Sequence, residues 1–216
     1  MIKNYFTIAR EMSDILALYP LKWNGFYVCA FNHIRVWFNR FEVIEKHIPQ
    51  KGEIVDIGCG YGLFANFLAL RSPDREIVGV DKNLRKVKYA FRGLKNTRFL
   101  TTDIKDFDLT SCQGITMIDF LHHMNSYGEQ EDLLYYCYKG LSKGGTLFIK
   151  DVCFEPYYKF FLTRIVDNVL YIGDRFYFRK WEAFKEVLEA MGFCVEYVVL
   201  HQGTPYSTYG LSCIKV

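Results

Sequence analysis

The sequence predicts an α/β domain with a doubly wound, mostly parallel sheet and helices on both faces. Two observations carry this. Short apolar runs of strand length alternate with segments of helical periodicity along most of the chain. The first such run, Ile54-Val55-Asp56-Ile57, ends in the glycine-rich turn Gly58-Cys59-Gly60-Tyr61-Gly62. With 216 residues, half of them hydrophobic, the chain can bury a substantial core, and residues 1–216 read as one domain.

The elements follow in order. Residues 1–20 fit a helix with Ile8, Met12, Ile15, Leu16 and Tyr19 on one face, closed by Pro20. Residues 24–48 are aromatic and basic and fit one or two helices, so 1–48 form an N-terminal helical segment. Glu53–Ile57 is the first strand, and Leu63–Leu70 the first helix after the turn. Glu76–Val80 is the second strand, and Leu84–Leu94 a helix expected to bury Leu84, Val87, Phe91 and Leu94. Strands around Phe99, over Ile115–Leu121 and over Leu147–Ile149 frame a helix at Glu129–Leu141 with Leu133, Leu134 and Cys137 inward. After Asp151 the segment 152–178 is dense in Phe and Tyr. Arg179–Met191 resumes as a helix closed by Gly192. Phe193–Leu200 and Leu211–Val216 read as a final strand pair.

Composition excludes several classes. Seven cysteines are scattered without a CxxC pair or a Cys/His cluster, so no metal site is expected and a reducing cytoplasm suits the chain. No secretory leader and no stretch long and apolar enough to span a bilayer is read. The net charge of +3 favours no particular partner. Lys82, Arg85, Lys86, Lys88, Arg92, Lys95 and Arg98 form an acid-free run, read as a solvated face, and a nucleic-acid partner is not expected.

The turn carries the chemistry. Glycines there allow positive φ and close approach of a ligand to the backbone. Read for geometry alone, the motif is a strand–turn–helix corner. A dinucleotide fingerprint would need glycine at position 63, where Leu63 stands, and Asp56 would repel a pyrophosphate. A nicotinamide-dependent oxidoreductase is therefore disfavoured, whereas a ligand with a cationic end suits Asp56. Asp81, 23 residues beyond Gly58, ends the second strand near the spacing at which an acid meets a ribose diol.

Asp56-Ile57-Gly58-Cys59-Gly60-Tyr61-Gly62 resembles motif I of the class I S-adenosylmethionine (SAM) dependent methyltransferases. Asp81, Thr102-Asp103-Ile104, Ile118-Asp119-Phe120-Leu121-His122-His123 and Gly144-Gly145 resemble later motifs of the family in order, over about residues 50–151. The resemblance implies a seven-stranded sheet with an antiparallel last strand and a cap insertion at 152–178. It implies SAM as cofactor and S-adenosylhomocysteine (SAH) as product. Asp56, Gly58, Cys59 and Gly60 would surround the methionine end, Asp81 and Lys82 the ribose, and Asp103 and Ile104 the adenine. Asp119 and Leu121 would line the donor pocket.

Methyl transfer from a sulfonium is an in-line displacement that depends mainly on alignment. A base is needed only for a protonated nucleophile. His123, of the adjacent pair His122 and His123, is the candidate base, against a packing role. His201, Tyr206, Asp151 and Glu155 are weaker candidates, and Asp151 could equally cap the following segment. The aromatic segment 152–178 suggests a small, hydrophobic or lipid-like acceptor. Lys159, Arg164 and Arg175 within it allow peripheral contact with a membrane. The alternatives are a non-catalytic SAM-binding scaffold and a methyltransferase of nucleic acid or protein. Oligomeric state is not legible.

Overall fold

A computed structural model describes residues 13–20, 32–36, 38–170 and 175–216, and the side chains at 166, 167, 169 and 170 lie outside that description. Seven strands form a single sheet: β1 (Gly52–Ile57), β2 (Arg75–Asp81), β3 (Thr97–Thr101), β4 (Cys112–Ile118), β5 (Leu141–Val152), β6 (Phe193–Val199) and β7 (Thr208–Lys215). Their order is β3-β2-β1-β4-β5-β7-β6. The pairs β1–β2, β1–β4, β2–β3 and β4–β5 are parallel, whereas β7 runs antiparallel to both β5 and β6. The doubly wound seven-stranded expectation and its antiparallel last strand are thus met.

Helices cover both faces: α1 (Phe41–Ile44), α2 (Leu63–Arg71), α3 (Leu84–Ala90), α4 (Tyr127–Gly140), α5 (Tyr157–Leu170) and α6 (Trp181–Met191). Successive strand residues point to opposite faces, so neighbours in sequence enter different cores. Val55, Val78 and Leu147 pack with Leu133, Leu134, Phe184 and Leu188 of α4 and α6. Ile54, Ile77 and Phe148 pack with Phe64, Phe67 and Leu68 of α2 and with Phe41 and Ile44 of α1. Each fully buried side chain of this kind contributes roughly 1.5–3 kcal/mol. Residues 13–17 and 32–36 are helical, and Ile15 and Tyr19 join the second core. The expected positions Ile8 and Met12 lie outside the described residues.

Three expectations need correction. The helix after β2 ends at Ala90, and only Val87 and Ala90 are buried; Leu84 and Phe91 are exposed. Two turns suffice to span that edge of the sheet, and the chain is extended again at Phe91. The basic run is consequently not one helical face. Arg92 stacks over the Tyr19 ring at 4.3 Å, Arg98 pairs with Glu53 at 2.8 Å, and Lys86 turns toward the site described below. Finally, β7 begins at Thr208 rather than Leu211, because Thr208–Gly210 continue the ladder against Val152–Lys150.

Candidate functional site

The site grows out of the carboxyl ends of β1, β2 and β4, where open α/β sheets bind ligands. After Ile57 the chain turns sharply. The amides of Gly58 and Cys59 both donate to the Val80 carbonyl, at 2.8 and 3.1 Å, which fixes the loop against β2. Gly58 has φ +70°, and a Cβ there would lie 2.1 Å from the Phe120 ring, so only glycine admits that ring. Gly60 has φ +53°, and a Cβ there would come no closer than 4.0 Å to its neighbours, the Gly58 carbonyl oxygen and Lys86 Cδ, so the glycine answers to the backbone conformation rather than to crowding.

Asp81 ends β2 and holds the loop. One carboxylate oxygen accepts from the Gly60 amide at 2.9 Å and the other from the Asn83 amide at 2.7 Å. Each oxygen keeps a further lone pair. Asn83 caps α3 by accepting from the amides of Arg85 and Lys86.

Asp56 is the buried acid of the site, 2% exposed, and accepts from the Thr116 hydroxyl at 2.7 Å. Burial drives its pKa up to about 7, against the Thr116 hydrogen bond and helped by the nearby Asp81 charge.

On the other flank β4 delivers Asp119, a non-glycine residue at φ +53°. Its carboxylate pairs with the Lys150 ammonium from β5 and, at 2.6 Å, with the Arg35 guanidinium from the N-terminal segment. Burial alone would raise this carboxyl; Lys150 and Arg35 outweigh it and hold the group well below the usual range. Beside Arg35, Asn32 is 1% exposed, and its Nδ2 has no hydrogen-bond partner among the described residues.

These groups enclose a cavity of about 460 Å³ lined by Asn32, Arg35, Asp56, Asp119 and His123 and by the Gly58–Gly60 loop with Asp81. Phe41, Phe64, Ile118 and Phe120 supply its apolar wall, and Lys86 a further cation. The size is that of a small-molecule site. Of the adjacent histidines, His123 lines the cavity. His122 is buried behind it, its ring Nδ1 on the Asp151 carboxylate. Burial lowers the His123 pKa to about 4, and the neighbouring His122 adds to this.

The structure brings together Asp56, Gly58, Cys59, Gly60, Asp81, Asp119 and His123. Four other residues with expected site roles do not line this cavity. Lys82 and Asp103 pair with each other at 2.9 Å on the outer surface, and the Lys82 hydrogen bond lowers the Asp103 pKa. Ile104 and Leu121 lie in the core. Asp151 caps no helix; it receives the amides of His122 and Val152. None of the described residues of 152–178 lines this cavity. Reading the sequence missed Asn32, Arg35, Thr116 and Lys150. Arg35 and Asp119 are 84 residues apart and share no local pattern. Lys150 did leave a signal, a lysine directly ending the apolar run Leu147-Phe148-Ile149 and followed by Asp151. Among the described residues no group of three or more His, Cys, Asp or Glu could hold a metal ion.

A glycine loop after β1, an acid ending β2 and the strand order 3-2-1-4-5-7-6 together define the class I SAM-dependent methyltransferase fold. Residues 55–147 match the family model of a methyltransferase domain. The chain is 22% identical over 141 residues to the putative methyltransferase 235L of Invertebrate iridescent virus 6, covering 60% of this chain and 53% of the relative. It is 30% identical over 106 residues to the trans-aconitate 2-methyltransferase of Delftia acidovorans, covering 48% of this chain and 39% of the relative. The chain thus spans about half or less of the length of these curated relatives. Among solved structures, magnesium protoporphyrin IX methyltransferase from Synechocystis with bound SAH aligns with a TM-score of 0.63 at 16% identity. That match covers 86% of this chain and 84% of that one.

Proposed function

We propose that this chain binds SAM in the cavity between β1, β2 and β4 and moves its methyl group to a small acceptor with an apolar body. The observation that carries this is the chemistry of the two flanks. SAM has a ribose diol at one end and a zwitterionic methionine at the other. Asp81 offers spare acceptor lone pairs to two hydroxyls. Across β1, Arg35 and the unpartnered Asn32 Nδ2 offer donors to a carboxylate. The buried Asp56 provides a negative charge for a cationic ligand. The residues present fit the cofactor.

SAM supplies an electrophilic methyl group; the protein has to align it and exclude water. Phe120, Phe41, Phe64 and Ile118 support an apolar acceptor and a dry site. His123 is neutral at physiological pH, so its ring can accept a hydrogen bond from an acceptor hydroxyl or amine. Burial makes it a weak base, which suits orienting a nucleophile better than stripping its proton in advance.

The test is SAM labelled on the methyl group, incubated with the protein and a cell extract. Label in the organic-soluble fraction is expected. Label confined to nucleic acid or protein would overturn the acceptor class, and SAM left intact with every fraction would overturn the transfer reaction.

A further inference from the structure

Behind His123 lies a buried pair, His122 and Asp151, that the proposed reaction does not use. His122 stands in the short turn Leu121–His123 after β4, and Asp151 near the end of β5. They are 2% and 3% exposed. The Asp151 carboxylate accepts from the His122 ring Nδ1, from the His122 amide at 3.2 Å and from the Val152 amide at 2.7 Å. The His122 carbonyl accepts from the Tyr177 amide at 2.9 Å, and the Phe178 ring stacks on the imidazole at 5.3 Å. Backbone and side chain of His122 are both pinned, so its ring is held in one orientation.

His123 lies against that fixed ring, with the two centroids 4.3 Å apart. Phe176 meets His123 edge-on at 5.2 Å, and the His123 amide donates to the Phe120 carbonyl at 3.1 Å. Two imidazoles at this separation repel strongly when both are protonated, and burial removes the water that would screen them. The rings therefore compete for one proton. Their surroundings decide which of them holds it. His122 has a carboxylate in contact with Nδ1, which offsets the cost of burying a cation there. The other charged groups acting on His123 are Asp119 and Lys86 of α3. Asp119 is already paired with Lys150 and Arg35, and Lys86 repels a proton. On the Asp151 side lie Tyr209, Tyr197 and Cys153, all kept protonated by burial. Arg179, beyond Phe178, pairs with Glu131 at 2.6 Å, and Arg175 is exposed.

We infer that His122 and Asp151 are a positioning pair for His123: Asp151 keeps on His122 the one proton that the stacked rings can carry, and His123 stays neutral with its ring fixed at the cavity wall. The His123 pKa, lowered to about 4 by burial first and by His122 second, agrees with this. The consequence for catalysis rests on the proposed function: His123 remains a hydrogen-bond acceptor for the nucleophile well below neutral pH. The placement of the proton does not rest on it.

The experiment is nitrogen-15 NMR of the full chain labelled on histidine, from about pH 5 to about pH 7, with His122→Asn and His123→Gln assigning the two rings. In the wild type His122 should show both ring nitrogens protonated, and His123 one bare nitrogen throughout. Asn at position 122 keeps a donor toward Asp151 but cannot take up a proton. In His122→Asn the His123 pKa should therefore rise by about one or more. The methyl-transfer rate of that variant should then fall on the acid side of about pH 6, where the wild type does not, with KM for SAM unchanged and the wild-type rate regained at about pH 8. Unaltered melting shows that the variant is folded; should it not fold, the wild-type spectra decide alone. A neutral His122 across the range, or a His123 titration that His122→Asn leaves in place, overturns the inference. A protonated His122 beside a neutral His123, in a protein that fails to bind SAH, would uphold the pair and remove the proposed reaction.

Discussion

Replacing Asp56 by Asn should reshape the dependence of stability on pH. Asn keeps the shape and, through Oδ1, can still accept the Thr116 hydroxyl seen at 2.7 Å, but it has no proton to lose. In the folded protein Asp56 titrates at about 7, raised by burial from 3.8. The folded state thus holds this proton more tightly than the unfolded chain. The resulting stabilisation is fully present below the unfolded value and is lost as pH rises through the folded one. A shift of about three units at 1.36 kcal/mol each amounts to about 4 kcal/mol in all. Between about pH 5 and pH 8 the stability of D56N should therefore gain about 3 kcal/mol on the wild type. His123 works in the opposite sense. It is neutral in the fold at pH values where the unfolded chain is protonated, so its contribution is lost as pH falls from 6.5 toward about 4. In the wild type the two slopes offset one another over that window; in the difference between the two proteins His123 cancels. Urea unfolding of both proteins across this range measures the effect. Parallel stability profiles would refute a buried, proton-retaining Asp56.

Four further outcomes follow from the same geometry. At about pH 7 a cationic ligand beside Asp56 should drive its ionisation, so SAM binding should release a fraction of a proton, and SAH less; calorimetry in buffers of different ionisation enthalpy reads this directly, and equal release for both ligands would contradict it. Arg35→Ala should weaken SAM binding tenfold or more, as expected for a lost charge-assisted hydrogen bond of roughly 1.5–3 kcal/mol, while leaving affinity for decarboxylated SAM nearly unchanged. Asp151→Ala should destabilise the fold by about 3–5 kcal/mol in denaturant titrations, because it strands the buried His122 ring and two backbone amides. His123→Phe should lower the methyl-transfer rate with little change in SAM affinity; a rate equal to the wild type's would return His123 to a packing role.

The fold was legible because its signals are local. Ile54 and Val55, or Ile77 and Val78, are apolar neighbours that must enter opposite faces, which is the mark of a sheet covered on both sides. The glycine loop and Asp81 were legible because the loop's backbone needs fix their spacing. The α3 boundary was not, since Leu84, Phe91 and Leu94 fit a helical period but the sheet edge requires only two turns. The Arg35–Asp119–Lys150 cluster was hidden for another reason: its members come from three distant parts of the chain, and only the β1–β4–β5 order brings two of them together. Asp103 takes a local role as well: its carboxylate caps a turn and pairs with the exposed Lys82.

The most direct measurement is calorimetric titration of SAH and SAM into the wild type and into Asp81→Ala. The cavity described above should give saturable binding to the wild type, a raised melting temperature at saturation, and a loss of tenfold or more in affinity on removal of the carboxylate. Absence of binding heat and of any melting shift in the wild type, or equal affinity in the two proteins, would contradict the assignment of this cavity to SAM.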